Sequence, residues 1–362
     1  MTLTEIIIQR IQKEGPISFH DFMEMSLYYP ELGYYTSAKD KIGEKGDFYT
    51  SSNLTAAFGA MIGRQLEEMW KLLEQKPFTI VEYGAGTGSL CHDILDYLKN
   101  NEKLFEKLQY CIIEKSPAMR EKEKTHLHEK VSWYDSIQAI PEITGCIISN
   151  ELLDNFSVHQ VIMQDELMEV FVDYQNGFVK LLKPAEKILT DYLSELNVIL
   201  PKGFQTEINL EATQWIKDIS TSLKKGFVIT IDYGYLSSEL YSNRRSSGTL
   251  ICYNKHQIND HPYHDIGEQD ITSHVNFSAL CHWGFKNGLE CSGFTDQAHF
   301  LLALGFKDYL RKAEDKEQNI SHLAIKDAFL THTLLTDMGS KFKVLIQQKG
   351  MPKKELLGLK FS

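Results

Sequence analysis

Three glycines at alternate positions follow an apolar run in residues 80–90, IVEYGAGTGSL. Glycine lets a backbone turn tightly and approach a bound molecule closely. Gly84, Gly86 and Gly88 therefore predict a ligand-binding turn between a strand and a helix. A dinucleotide fingerprint has its third glycine at the sixth place of the motif, where this chain has Ser89. The spacing thus departs from the pattern that is typical of NAD-binding proteins.

Two acidic residues frame this turn. Glu82 precedes Gly84 by two places, and Glu114 ends the next predicted strand. A carboxylate repels a pyrophosphate but attracts a cation, and S-adenosylmethionine (SAM) carries a sulfonium and an α-ammonium without any phosphate. The paired oxygens of Glu114 also suit the vicinal hydroxyls of a ribose. The two acids favour SAM over NAD, the alternative being that Glu82 caps a helix and Glu114 is a solvated strand end.

The stretch VSWYDS, residues 131–136, ends the third predicted strand at the same edge of the sheet. Trp133 either packs on an adenine ring or belongs to the core, because Trp is usually mostly buried. Asp135 either accepts a hydrogen bond from the adenine amino group or caps the helix that follows. Both residues are candidate cofactor contacts.

Polar residues directly follow the fourth predicted strand in IISNELLDNF, residues 147–156. Methyl transfer is an in-line displacement, so it depends mainly on positioning and on charge placement. Glu151 and Asp154 are therefore predicted to orient a methyl acceptor, with helix capping as the alternative. Asp47, in the irregular segment GDFYTSS, is either a turn residue or part of a loop that closes over the site.

These stretches together predict one cofactor site and a catalytic set. The predicted cofactor contacts are Glu82, Gly84, Ala85, Gly86, Gly88, Leu90, Glu114, Lys115, Trp133, Asp135 and Asn150. The predicted catalytic residues are Glu151, Asp154 and Asp47.

Apolar runs that alternate with amphipathic segments predict the elements that hold these residues. The predicted strands are the runs at 78–83, 110–114, 131–134, 146–149 and 227–232. Near-continuous apolar strands separated by helices are typical of an α/β protein whose parallel sheet is covered on both faces. We expect a Rossmann-like sheet with an N-terminal helical cap, an inserted β-meander and an extra helical element. The predicted segments are a cap at 1–58, a SAM-binding core at 59–155, a β-rich insertion at 156–225 and the remainder of the core sheet at 226–362.

Composition narrows the class of protein. The chain has 362 residues and a formal net charge of −11, which argues against nucleic acid as a partner because phosphate binding needs a basic face. Its six cysteines are scattered without a CxxC pair, so no zinc site or disulfide is expected. No apolar run approaches the ~18 residues of a membrane span. With no secretory signal pattern either, we expect a cytoplasmic protein without a membrane span.

The motifs resemble those of class I SAM-dependent methyltransferases and, more narrowly, of the MidA-like family. The resemblance extends through ISFHDFMEMSLYYPELGYYT, GDFYTSS, VEYGAGTGSL, IIEKSP, SNELLDNFSV, IDYGY, DITSHVNF, LALGF and MGSKFKVL. It implies SAM as the cofactor and arginine on a protein as the methyl acceptor, for which a respiratory-complex subunit is a candidate. A guanidinium substrate would need a carboxylate clamp, which Glu151 or Asp154 could supply.

Two other functions stay open at this point. A protein-interaction or assembly factor could bind SAM and turn over little. An NAD oxidoreductase would be stabilised by NAD and not by S-adenosylhomocysteine. Binding at one hundred times the dissociation constant stabilises a protein by about 2.7 kcal/mol, so a thermal shift with each ligand separates these functions.

Overall fold

The computed structural model of this chain describes residues 1–37, 55–127, 129–254, 257–314 and 332–361. The chain divides into two compact units, each built from separated segments. Unit 1 comprises Met1–Phe48, Leu153–Ile216 and Gly234–His282; unit 2 comprises Tyr49–Leu152, Lys217–Tyr233 and Trp283–Ser362. The division into four consecutive segments made from the sequence stays a prediction.

The helices, in chain order, are α1 (Leu3–Glu14), α2 (Phe19–Tyr28), α3 (Ala56–Leu72), α4 (Ser89–Leu98), α5 (Glu102–Lys107), α6 (Pro117–Lys124), α7 (Lys187–Glu195), α8 (Leu210–Ser222), α9 (Ser237–Leu240), α10 (Phe277–Lys286), α11 (Gln297–Ala303) and α12 (Phe306–Glu314).

The strands are β1 (Ile17–Ser18), β2 (Phe78–Tyr83), β3 (Leu108–Ile113), β4 (Val131–Tyr134), β5 (Ile143–Asn150), β6 (His159–Met163), β7 (Leu167–Tyr174), β8 (Phe178–Pro184), β9 (Gln205–Ile208), β10 (Leu223–Tyr235), β11 (Ile251–Asn254), β12 (Gln257–Asn259), β13 (Asp270–Thr272), β14 (Val275–Asn276), β15 (Glu290–Asp296) and β16 (Phe342–Lys349).

Unit 2 contains the predicted parallel sheet. Its strand order is β15-β16-β10-β5-β2-β3-β4, and the five strands from β10 to β4 run parallel. The order reverses between β2 and β5, where Val81 pairs with Ile147. In open α/β sheets ligands bind beyond the carboxyl ends of the strands at such a reversal. The glycine turn after β2 and Asn150 at the end of β5 both lie at this edge.

A large hydrophobic cluster fixes the sheet of unit 2 against its helices. Ile80, Tyr110 and Ile148 of the sheet belong to the same cluster as Phe58 and Trp70 of α3. All five are at most 2% exposed, and burying each large side chain contributes roughly 1.5–3 kcal/mol. The strand ends are therefore held by a rigid core.

Unit 1 contains a separate antiparallel sheet of order β1-β7-β6-β9, with β8 pairing β7. The strands β6, β7 and β8 form the expected meander, and Asn176 turns the β7–β8 hairpin with φ 57°. Ile7 of α1 and Phe22 of α2 share a second hydrophobic cluster with Val170 and Val172 of β7. A small sheet of order β12-β11-β13 completes the unit.

The observed elements agree with the expected fold class, and they give more exact bounds for the predicted strands. The apolar runs predicted at 78–83, 110–114, 131–134, 146–149 and 227–232 correspond to β2, β3, β4, β5 and β10. β10 extends further in both directions because it pairs with β5 on one side and with β16 on the other. In the described part of the chain, no helix has the length and apolar character needed to cross a bilayer.

Candidate functional site

The glycine turn has a backbone that side chains would strain. Gly84, Gly86 and Gly88 have φ angles of 64°, 58° and 76°, all in the left-handed region that favours glycine. A methyl group at Gly84 would lie 2.8 Å from Leu152 Cδ1, and one at Gly88 would lie 3.0 Å from Leu127 Cδ1. Backbone conformation therefore favours glycine at all three positions, and the nearby leucine side chains favour it further at Gly84 and Gly88.

The turn leads directly into the amino end of α4. Gly88 is the N-cap and provides no side-chain acceptor for the first turn of the helix. The amide N–H groups at such a helix start suit a carboxylate group of a ligand. The side chain of Leu90 is 2% exposed and lies in the main hydrophobic cluster, as does that of Ala85. These two residues can offer a ligand little beyond their backbone atoms.

Glu114 follows β3 and is tied to the glycine turn. Its Oε1 accepts a hydrogen bond from Ser116 N at 2.8 Å. Burial raises the pKa of Glu114, whereas hydrogen bonds from the amides of Ser116, Gly86 and Lys115 and the charge of Arg120 act in the opposite direction. The carboxylate is thus positioned beside the turn, while the side chain of Lys115 is exposed.

Glu82 lies at the same edge of the sheet, but its carboxyl group is buried. The residue is 2% exposed, and Oε2 accepts a hydrogen bond from the hydroxyl of Tyr110 at 2.6 Å. Burial raises the pKa of Glu82 to about 8, and the nearby Glu123 and Glu114 raise it as well. The carboxyl group is therefore mostly protonated at neutral pH, and a cation beside it would favour its charged form.

Glu123 in α6 is an acidic residue that sequence reasoning missed. It is fully buried, and its Oε2 accepts a hydrogen bond from Trp133 Nε1 at 2.6 Å. Its Oε1 has no hydrogen-bond partner among the described residues. Burial raises the pKa of Glu123 to about 7, and Glu114 contributes in the same direction. Nothing in the charged sequence of α6 distinguishes this glutamate from its neighbour Glu121.

Trp133 and Asp135 have contacts that decide between their alternatives only in part. Trp133 packs against the main hydrophobic cluster and donates to Glu123, which supports its reading as a core residue. Asp135 is exposed and forms an ion pair with Arg120 at 2.8 Å. It does not cap the following 3₁₀ turn, whose N-cap is Ser136. Arg120 also donates to the carbonyl oxygens that end β3 and β4, at Glu114 and Tyr134.

The chain leaves β5 through two polar residues, Asn150 and Glu151. Asn150 is 9% exposed, its Nδ2 donates to Glu151 Oε1 at 3.2 Å, and its Oδ1 has no hydrogen-bond partner among the described residues. Glu151 has φ 52°, which is unusual for a residue with a side chain. Its N–H donates to the carbonyl oxygen of Ile231 at 2.9 Å, so this strained residue is fixed to β10.

Asp154 lies in unit 1 rather than in unit 2. It belongs to a 3₁₀ turn at Leu153–Asn155 and is 4% exposed, and its carbonyl oxygen accepts from Ser273 N at 3.0 Å. Because Glu151 is left-handed and Asp154 is in this separate turn, the two acids do not share a helical face.

Two tyrosines and a second aspartate surround Asp154. Asp270 is 3% exposed, and Tyr35 donates its hydroxyl hydrogen to Asp270 Oδ2 at 2.9 Å. The rings of Tyr28 and Tyr35 stack with centroids 5.6 Å apart. Burial raises the pKa of Tyr28, and the charges of Asp270 and Asp154 contribute to this shift. We call these four residues, Tyr28, Tyr35, Asp154 and Asp270, the acid–tyrosine cluster.

Unit 2 therefore brings together the predicted cofactor contacts and Glu151, whereas Asp154 belongs to unit 1. Asp47 lies outside the described residues. Sequence reasoning missed Glu123, Asp270 and Tyr35, although the last two lie within the motifs DITSHVNF and ELGYYT. In the described part of the chain, no group of three or more His, Cys, Asp or Glu side chains could hold a metal ion.

The residues around the glycine turn fit SAM by the chemistry of their donors and acceptors. Glu114, Glu82 and Glu123 are acidic, and buried oxygens of Glu123 and Asn150 have no hydrogen-bond partner among the described residues. Such acceptors suit an ammonium, a sulfonium and ribose hydroxyls, whereas the free N–H groups at the start of α4 suit a carboxylate. The fold and the site together define a Rossmann-like, SAM-binding class of protein.

Comparison with known proteins agrees with this class. The sequence profile of the family described as "Putative S-adenosyl-L-methionine-dependent methyltransferase" matches residues 61–295. The chain belongs to this family of SAM-dependent methyltransferases.

Curated relatives match most of the chain. The chain is 24% identical to the Drosophila melanogaster "Protein arginine methyltransferase NDUFAF7 homolog, mitochondrial", covering 97% of this chain and 85% of the relative. It is 27% identical to the Caenorhabditis elegans protein of the same name, covering 97% and 89%. The expectation of a cytoplasmic protein is wrong on this comparison, because these relatives are named mitochondrial.

The fold of a solved structure matches that of this chain over nearly its whole length. A Burkholderia thailandensis protein, crystallised with S-adenosyl-homocysteine and described as a "superfamily member and likely methyl transferase", superposes with a TM-score of 0.89 at 28% identity. The match covers 99% of this chain and 95% of that chain.

Proposed function

We propose that this protein transfers a methyl group from SAM to an arginine side chain of a protein substrate. The observation that carries this proposal is the acidic residue Glu151, which follows β5 at the same edge of the parallel sheet as the glycine turn and is held with φ 52° by its hydrogen bond to Ile231. A guanidinium is a planar cation that carboxylates bind through paired hydrogen bonds and that aromatic rings also contact favourably. The names of the curated relatives, protein arginine methyltransferases, support the same substrate class.

Residues of the chain would position the acceptor rather than activate it covalently. Bound SAM supplies an electrophilic methyl group. The guanidinium stays protonated until transfer, because its pKa lies above ~12. Asp154 or Glu151 would orient the reacting nitrogen. The same carboxylate would accept the proton that this nitrogen loses as the new C–N bond forms and the bond from the methyl carbon to sulfur breaks, which leaves S-adenosylhomocysteine as the second product. The transfer thus depends on orientation and on electrostatic stabilisation.

The roles of the cofactor contacts are part of the proposal. Glu114 would accept hydrogen bonds from the ribose hydroxyls, and the alternate glycines would let the backbone approach the ligand. The buried Oδ1 of Asn150, which has no hydrogen-bond partner within the described part of the chain, suits the α-ammonium group. Lys115 and Asp135 remain proposed contacts at the ends of β3 and β4.

We propose only the class of protein that serves as the substrate. The resemblance to MidA-like proteins suggests a subunit of a respiratory complex, and the mitochondrial names of the relatives are consistent with that choice. The second candidate function is an assembly factor that binds SAM and turns over little.

Methyl labelling tests the proposal. The purified protein is incubated with tritiated SAM and subunits of respiratory complexes, and modified residues are located by mass spectrometry. Label on arginine is expected, and Asp154→Asn should reduce it by about a hundredfold. The control is Asp165→Asn, because Asp165 of unit 1 is 94% exposed. Equal labelling by the two variants would contradict the role of Asp154, and absence of label from all substrates would favour the assembly factor.

A further inference from the structure

α6 contains a buried glutamate that its sequence does not explain. Seven of the eight residues of this helix are at least partly exposed, and Glu123 is fully buried. Burying a carboxyl group is unfavourable unless hydrogen bonds or a charge compensate for its lost hydration. Trp133 provides one hydrogen bond, at 2.6 Å, and the other oxygen of Glu123 has no partner among the described residues. A purely structural acceptor for the indole would not need to be an acid.

The ionisable surroundings of Glu123 are mainly acidic. Glu82 of β2 and Trp133 of β4 both pair with Ile112 of β3 and so lie in one row of the sheet. The charge of Glu123 raises the pKa of Glu82, and the charge of Glu114 raises the pKa of both. Of the cationic residues in its own helix, Arg120 acts on Glu123 and favours the charged form. The neighbouring Tyr110 of β3 and Cys91 of α4 are neutral at physiological pH, because burial raises the pKa of both.

Glu82 and Glu123 therefore cannot both ionise easily in the free protein. Burial raises the pKa of Glu82 to about 8 and that of Glu123 to about 7, and each is repelled by neighbouring carboxylates. Two such groups bind and release protons as a pair. At neutral pH the pair holds about one proton.

We propose that Glu123 is a further acidic residue of the cofactor site, forming with Glu82 a buried carboxyl pair that releases one proton to solvent when the cationic cofactor binds. SAM has a net charge of +1 and S-adenosylhomocysteine has none, so the pair is more fully ionised with SAM. Methyl transfer then restores the conditions for proton uptake by the pair. Glu123 is a positioning residue in this scheme, acting through Glu82 and Trp133. The inference rests on the proposed location of SAM at the glycine turn and not on the identity of the methyl acceptor.

The proton count on binding tests this inference without any turnover. Titration calorimetry of SAM at pH 7, in buffers with different ionisation enthalpies, measures the protons released. About one proton is expected for SAM and fewer for S-adenosylhomocysteine. The affinity for SAM should rise with pH between 6 and 8, by up to about tenfold per pH unit where a whole proton is released.

Two variants distinguish a Glu123 that exchanges a proton from a Glu123 that only accepts the hydrogen bond of Trp133. Glu123→Gln keeps an acceptor for the indole but cannot ionise, so one of the two titrating groups is lost. Burial is the main cause of the raised pKa of Glu82 and remains in this variant, so SAM binding at pH 7 should release fewer protons than in the wild type. Trp133→Phe removes the hydrogen bond but leaves the carboxyl pair, so proton release should persist. Glu121→Gln is the matched control, because Glu121 lies in the same helix and is 74% exposed.

The outcomes are distinct. Wild-type binding without proton release, or equal release by Glu123→Gln and Glu121→Gln, would overturn the inference. A wild-type protein that bound neither SAM nor S-adenosylhomocysteine would instead refute the cofactor site itself. Denaturation of Glu123→Gln at pH 6 verifies that the variant is folded, since most Glu123 is protonated there and the substitution is nearly isosteric.

Discussion

Glu151 combines a proposed role in the site with an unfavourable backbone conformation. A residue with a side chain in the left-handed region carries about 1–2 kcal/mol of strain, and Glu151 has φ 52°. Strain of this kind is concentrated at functional sites, where the surrounding structure holds it in place. The hydrogen bond from Glu151 N to Ile231 O provides that support.

The substitution Glu151→Asn separates strain from chemistry. Asn adopts the left-handed region more readily than other residues with a side chain, so the variant should be at least as stable as the wild type. It loses the carboxylate, and methyl transfer should fall by about a hundredfold. Urea denaturation and a methyl-labelling assay measure the two effects. Unchanged transfer by a stable variant would remove Glu151 from the mechanism.

Glu82 gives the folded state a defined pH dependence. Its folded pKa, about 8, lies above its unfolded value, so its contribution to stability is fully present at low pH and is lost between about pH 4.5 and pH 8. Glu82→Gln should abolish this loss. Relative to the wild type, the free energy of unfolding of the ligand-free variant should therefore be a few kcal/mol more favourable to the folded state at pH 8 than at pH 5. Denaturation at the two pH values measures the difference. The exposed Glu106→Gln is the control, and an equal pH dependence in both variants would show that Glu82 ionises freely.

Local spacing made some site residues predictable and left others hidden. Gly84, Gly86 and Gly88 could be recognised because their conformational role depends on neighbours in the chain. Glu123 could not, because its burial depends on Trp133 ten residues away and on the sheet beneath α6. Tyr35 and Asp270 are 235 positions apart and meet only in the folded unit. Residues of this kind carry no signal in a single sequence.

Secondary-structure elements set by local sequence were likewise predictable, whereas those set by tertiary contacts were not. Strands of a covered parallel sheet are mainly apolar, so the runs at β2, β3 and β4 predicted both the type and the position of these strands. The two-residue strand β1 was not predicted, since its pairing with Val172 and Phe171 of β7 is set by tertiary contacts. The long β10 was underestimated because its polar ends are stabilised by β5 and β16.

The centre of the parallel sheet depends on a glycine outside the site. A methyl group at Gly145 of β5 would lie 2.0 Å from the carbonyl oxygen of Thr79 in β2. Backbone atoms cannot move away without breaking the strand pairing, so Gly145→Ala should destabilise unit 2 by about 3 kcal/mol or more. Gly177→Ala is the control, because a methyl group there meets nothing within 4 Å. Denaturation curves that coincide for the two variants would contradict the register of β2 and β5.

The whole molecule is acidic, with a formal net charge of −11. Oppositely charged partners associate faster because the summed field of a protein steers their encounter, and salt weakens this effect. A substrate protein that presents arginine in a basic segment would therefore be attracted to this chain. The cofactor product S-adenosylhomocysteine, which has no net charge, would not.

Salt should therefore weaken the association with the acceptor protein and leave the binding of the cofactor product nearly unchanged. The screening length falls from about 10 Å at 0.1 M salt to about 3 Å at 1 M, and kcat/KM for a basic arginine-containing substrate should fall by about tenfold over this range. The dissociation constant of S-adenosylhomocysteine, measured in the same salt series, should change little because the ligand has no net charge. Asp154→Asn should lower kcat at every salt concentration, since that substitution affects the transfer and not the long-range attraction. If kcat/KM did not depend on salt, the acceptor would not be a basic segment recognised by the charge of the chain.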